Sequence, residues 1–199
     1  MITQAGLRNA LSQVQARTRL AGAWLAVGLL AGALLAGCDS GNAVNTGPFG
    51  NGGVWGEECV PVPRGAVLSY GGDEFRNSGG ATATISKVAL ANPRGIRMLA
   101  AYVVPVTGHF LYGVWPGYPP TAHMQAGVRW SQRQQADGAT VPPSRDGHDV
   151  TNLVLVLKPT AKTGWARGID VWYRESGQHY HLRTATRIRL LAGVSACPQ

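Results

Sequence analysis

His179 and His181 are two residues apart, a spacing that could do chemistry. On a strand, side chains at i and i+2 leave the same face, so both imidazoles could share one ion. His123-Met124 adds an imidazole and a thioether, donors that suit copper and would make the chain a metal-handling protein. Against this, Arg183 follows on the same strand face, and three potential cations make a poor cation site. Asp146-Gly147-His148-Asp149 with Asn152 offers oxygen donors but departs from the D-x-[DN]-x-[DN]-G calcium loop. Such residues ahead of an apolar strand are also ordinary turn chemistry. In the run YGVWPGYPPTAHM, Trp115 and Tyr118 alternate with Pro116, Pro119 and Pro120. Prolines stiffen the backbone, so this loop either presents its aromatics to a partner or uses Trp115 to plug one end of the fold.

The sequence contains no G-x-S-x-G, S-x-x-K or H-E-x-x-H and no phosphate-cradling glycine loop with a lysine. A wall-polymer hydrolase would need paired carboxylates. The late acids Asp170 and Glu175 are more simply explained by strand and turn roles. The expectation is a non-enzyme without a cofactor.

The elements that must position these residues are short and extended. Candidate strands run over 67–70, ended by Gly71-Gly72; over 82–90, ended by Asn92-Pro93; over 98–106; and over 110–114. Others cover 152–157, 168–174 and 178–191, the last as one strand or two. Pro105 suits a strand end, because it cannot donate to a ladder. Ile169, Val171 and Tyr173 alternate with Asp170, Trp172 and Arg174, giving one apolar face and one mixed face. Ile188 and Leu190 alternate with Arg187 and Arg189 in the same way. Residues 153–157 are apolar at every position, which predicts a central strand covered on both sides. No helical period with caps persists beyond a turn or two after residue 38. About seven short strands between turn signals predict an all-β, antiparallel β-sandwich. The polar connection 131–149 reads as a surface loop.

The N-terminal segment supplies an address. Arg8, Arg17 and Arg19 precede an apolar run over 20–36 that ends in Leu35-Ala36-Gly37-Cys38. Basic flank, apolar middle and small residues before a cysteine are the parts of an export signal. The last four residues resemble a bacterial lipobox, which implies cleavage before Cys38 and lipid on that cysteine. The alternative, a retained transmembrane helix, would need a run of about 20 apolar residues. The expected organisation is therefore a signal peptide over 1–37, a flexible Gly/Asn-rich tether over 38–56 and a sandwich over 57–199. Phe49 and Trp55, within the tether, could meet either the membrane interface or the domain.

Export also divides the cysteines. With Cys38 lipidated, Cys59 and Cys197 remain, and in an oxidising compartment an even remainder pairs, tying the first strand to the last. Two free thiols are the alternative. The formal charge of +8 falls to +5 on cleavage, because three arginines and no acids leave. The remaining basic residues are dispersed, which argues against nucleic acid and suits a domain facing anionic lipid or polymer.

The runs SGGATATISKVAL, MLAAYVVPV, WPGYPP, NLVLVLKP and GIDVWYRESGQHYHL resemble exported lipoproteins of actinobacteria. That resemblance implies an immunoglobulin-like β-sandwich and brings no catalytic residue with it. The expected protein is a module anchored to the outer face of the cytoplasmic membrane, contacting a cell-surface protein or anionic polymer.

Overall fold

The computed structural model describes residues 45–51, 56–106, 112–125, 128–145 and 149–198. Leu35 to Cys38, Trp55, His109 and residues 146–148 lie outside them. Thirteen strands are described: β1 Phe49–Asn51, β2 Gly56–Val62, β3 Leu68–Asn77, β4 Ala83–Leu90, β5 Ile96–Pro105, β6 Gly113–Pro116, β7 Gln134–Gln135, β8 Thr140–Val141, β9 Thr151–Pro159, β10 Thr163–Ala166, β11 Ile169–Glu175, β12 Gln178–Arg183 and β13 Thr186–Ala192. Helix among the described residues is confined to α1, Ala122–Gln125, and a 3-10 turn, Trp130–Gln132. No described helix is long and apolar enough to cross a membrane. The candidate strands read from the sequence left out β2, Gly56–Val62, and four pieces of two to four residues, β1, β7, β8 and β10. Such pieces are too short to show a period.

The largest sheet has the order β1-β3-β9-β5-β7, with β6 also on β3. A second sheet runs β12-β11-β4-β8 and a third β10-β13-β2. The alternation read from the sequence holds: Ile169, Val171, Tyr173, Leu182, Ile188 and Leu190 are buried, opposite Leu153, Leu155, Leu157, Phe75 and Val103 from the largest sheet. These inward faces enclose one core, so the fold is a β-sandwich whose pairs are antiparallel except for β2 beside β13. Strand β9 is central, between β3 and β5, and is covered on both sides. Its Leu153, Leu155 and Leu157 enter the main core, while Val154 joins a second cluster with Val104, Val106, Tyr112, Val128, Trp130 and Val150.

The hairpin from β10 to β13 is a single long ribbon broken once. Trp165 pairs with Arg189 on one side of the break and Asp170 with Arg183 on the other. At the break Gly168 has φ +146, and a Cβ there would lie 2.5 Å from the Thr184 carbonyl oxygen. The Thr184 hydroxyl accepts the Ile169 N–H at 3.0 Å. The 178–191 stretch is therefore two strands.

Three expectations are corrected. The domain begins before Glu57: Asn45 bridges Leu182 and β1 pairs with the end of β3. Phe49 is fully buried in the core, with its ring 3.8 Å from Tyr173 and its N–H donating to the Tyr173 hydroxyl. One aromatic inserted in a Gly/Asn run was enough to turn part of the expected tether into a strand, because burying a Phe ring stabilises by about 2 kcal/mol or more. Second, β3 does not end at Gly71-Gly72. It passes through them with a register shift between Tyr70 and Asp73. The glycines serve close approach, since a Cβ on Gly71 would lie 2.5 Å from the Tyr112 ring and one on Gly72 2.6 Å from Glu58 Oε2. Third, the connection after Ser131 is no mere surface loop. It carries β7 onto β5 and β8 onto β4, so it joins both layers, and it buries Ala136, Ala139 and Val141. Asn152, read as turn chemistry with calcium donation as the alternative, is a buried clamp. Its Oδ1 accepts the Tyr112 N–H at 2.9 Å, and its Nδ2 donates to the Gly71 and Asp73 carbonyls at 3.3 and 3.1 Å.

Candidate functional site

The outer side of the largest sheet carries an aromatic cluster built on the second core. Tyr102 on β5 and Trp130 in the 3-10 turn form its base, and Tyr112 packs 6.0 Å from Trp130. The loop beyond β6 is pinned at several points. The Gly117 N–H donates to Val67 O at 2.8 Å, the Ser69 hydroxyl donates to Gly117 O at 2.8 Å, and Gln125 Nε2 donates to Pro120 O at 2.8 Å.

Trp115 and Tyr118 take different roles within this loop. Trp115 is half-buried against the second core, with its indole N–H donating to Tyr112 O at 2.6 Å. With Cys59, Val60, Val62, Leu68 and Val114 it lines a largely apolar groove of about 520 Å³. Tyr118 is 36% exposed and stacks on Tyr102 at 5.6 Å and 11°, with its edge toward Trp130 at 6.2 Å. The Arg133 guanidinium lies 5.1 Å over the Trp130 ring. Partial burial, then the Tyr102 hydroxyl, raises the Tyr118 phenol above its ordinary pKa, while Arg133 opposes the shift. The sequence singled out Trp115 and Tyr118 and missed Tyr102, Trp130 and Arg133. Tyr102 is read there as one more strand residue, and Trp130 follows a separate connection; only the fold joins them.

The strand histidines sit as the alternation requires, on the outer face of the second sheet. His179 is opposite Arg174 and His181 opposite Trp172. His181 stacks on Trp172 at 4.8 Å and 8°, and Lys87 Nζ lies 5.0 Å from that indole. Asp170 binds His181 Nε2 at 2.8 Å and Arg183 through two bonds of 2.7 and 3.0 Å. One carboxylate is thus shared by imidazole and guanidinium, and a cation between the histidines would have to displace the Asp170 bond while facing Arg174 and Arg183. His123 and Met124 fall on α1. Among the described residues no group of three or more His, Cys, Asp or Glu could hold a metal.

The cysteines expected to pair do so. Cys59 on β2 and Cys197 form a disulfide with Cα atoms 6.1 Å apart across a separation of 138 residues. No protein-family model matches the chain, and no curated protein matches it. Among solved structures the chain is similar to the ASH / PapD-like domain of human CEP192 (PapD-like domain 7), at 11% identity over 75% of this chain and 87% of that one, with a TM-score of 0.37.

Proposed function

We propose that the protein is a binding module held by lipid on Cys38 at the outer face of the cytoplasmic membrane, with the Trp115–Tyr118 loop as its contact surface. The observation that carries this reading is the state of Tyr118. Among the described residues the large hydrophobic side chains left exposed are Leu99, Tyr118 and Val194, and Tyr118 is the aromatic one. Its ring is already ordered on Tyr102, so a partner that covers it loses little side-chain entropy. Trp115 supports the loop from beneath. The address rests on the residues before Cys38, and the Cys59–Cys197 disulfide is in keeping with an oxidising compartment.

Two experiments test the two halves. Cys38→Ala should release the chain from membranes or leave it uncleaved; unchanged fractionation with a processed N-terminus would remove the anchor. A photocrosslinking residue at position 118, in cells, should capture a discrete surface partner, whereas the same residue at Leu99 should not. Equal capture from both positions, or none, would remove the loop. Tyr118→Ala should cost less than about 1 kcal/mol, because the partly exposed ring only stacks on Tyr102 and meets Trp130 with its edge. Trp115→Ala should cost about 1–2 kcal/mol, less than a fully buried Trp, and urea titration distinguishes the two.

A further inference from the structure

The third sheet turns an unusual concentration of arginine away from the core. Ala166, Ile188 and Leu190 face inward and are buried, so the alternation sends Trp165, Arg167, Arg187 and Arg189 outward. The register places Trp165 opposite Arg189, and on the far side of β13 it places Glu57 opposite Arg187. Arg94 bridges Trp165 from outside β10, and its guanidinium lies 5.4 Å over the indole. Two hollows flank this tryptophan. One, of about 360 Å³, is lined by Glu57, Arg167, Arg187 and Arg189 among others; the second, of about 330 Å³, holds Asn92, Pro93 and Arg94. Trp165 and Arg167 line both, so the hollows form one groove that passes the indole.

Among the described residues, four guanidiniums, those of Arg94, Arg167, Arg187 and Arg189, and one carboxylate, that of Glu57, line this groove. Glu57 meets Arg189 at 3.2 Å, a pair with both side chains well exposed, so it neutralises little of the surrounding charge. Clustered like charges repel, and a ligand that spreads negative charge along the groove relieves that repulsion. The planar guanidinium fork matches phosphate oxygens two at a time. Charge on both sides of Trp165 suits a chain of anionic groups better than one ion, and its position in hollows suits a strand of polymer better than a flat bilayer.

We propose that this groove binds a phosphate-bearing polyanion, an extended polymer lying across Trp165 with Arg94 on one side and Arg167, Arg187 and Arg189 on the other. The inference rests on the reading of the domain as a binding module and adds a partner class on a surface separate from the Tyr118 loop.

The test is equilibrium titration of the full-length chain, in detergent, with inorganic polyphosphate, followed by tryptophan fluorescence. Binding should weaken with salt at a log–log slope of roughly −3, the value for about four phosphate contacts on a flexible chain. Arg167→Gln with Arg187→Gln should lower affinity at least about tenfold and reduce that slope by about 1.4. Glu57→Gln should tighten binding, a change that damage to the fold would not produce. Arg174→Gln, on the outer face of the second sheet, should change affinity less than twofold. Equal losses from Arg174→Gln and the groove variants would overturn the proposal, as would orthophosphate binding as tightly as polyphosphate. Capture by phosphatidylglycerol vesicles that polyphosphate does not compete away would assign the face to a membrane and overturn it too. Crosslinking failure at position 118 with the titration intact would remove the loop alone, and the reverse would remove the groove alone.

Discussion

Asp73 is a carboxyl almost without access to water, 1% exposed. Burial, with Glu58 nearby, pushes its pKa from the ordinary 3.8 up to about 7, although the Thr186 hydroxyl, donating at 3.2 Å, opposes the shift. Tyr70, whose hydroxyl lies 3.4 Å from Asp73 Oδ2, has its phenol raised as well, first by burial and then by Asp73. The sign for stability follows from linkage. Between pH 4 and 7 the folded chain keeps a proton that the unfolded chain has lost, so stability present below about pH 4 is lost as pH rises to about 7. The full shift corresponds to roughly 4 kcal/mol at about 1.4 kcal/mol per pKa unit. Asp73→Asn keeps the neutral shape, so its urea stability relative to the parent should improve from pH 4.5 to about 7 and level off above that. Parallel pH profiles for the two proteins would place the proton elsewhere. Phe49 makes the complementary point at the same scale. Its ring lies between Phe75 at 4.9 Å and Tyr173 at 3.8 Å, and Phe49→Ala should cost about 3–5 kcal/mol in denaturant titration. A loss below 1 kcal/mol would return residues 45–51 to the role of tether.

The elements show why some strands were legible in the sequence and others were not. The 153–157 run has no polar position, and only a strand between two others and covered on both faces can hide it, which is where β9 lies. In 168–174 the period of two survives in the inward Ile169, Val171 and Tyr173, although Asp170 on the other face is buried too. Over 68–77 the same reasoning fails, because Gly71-Gly72 has the composition of a turn while serving close packing against Tyr112 and Glu58. What lets the backbone continue is remote in sequence: Asn152, on β9, bonds the carbonyls of Gly71 and Asp73 and the N–H of Tyr112. The candidate site divides along the same line. The loop holding Trp115 and Tyr118 announces itself through its prolines, whereas the stack of Tyr118 on Tyr102 depends on strand register. Asn152→Ala orphans one donor and two acceptors in a site closed to water. It should cost about 3 kcal/mol, at one or more per unsatisfied group, and should speed amide exchange at Tyr112 in particular. Stability within 1 kcal/mol of the parent would mean that the bulge holds itself.

At the scale of the whole molecule, the decisive pairing is the parallel one between β2 and β13, seven residues in register from Gly56 beside Thr186 to Val62 beside Ala192. Parallel neighbours in one sheet cannot be joined by a tight turn; here nearly all the remaining strands lie between them. Among the described strands β2 is also an edge, with β13 its sole neighbour in the sheet order, so closing such a loop must be repaid by one interface. The Cys59–Cys197 bond, spanning 138 residues, removes that closure entropy from the unfolded chain in advance. The loop-entropy relation puts the effect near 4–5 kcal/mol as an upper figure, because unfolded chains retain structure. Replacing both cysteines with Ser should therefore lower stability by about 3–5 kcal/mol. Hydrogen exchange should rise earliest along 56–62, since an edge strand without its tether opens below the global unfolding free energy. A reductant should bring the parent to the level of the double variant and leave the variant itself unchanged. If exchange instead rose evenly over every strand, the disulfide would stabilise the chain only as a whole, and β2 would hold its edge by pairing and burial alone.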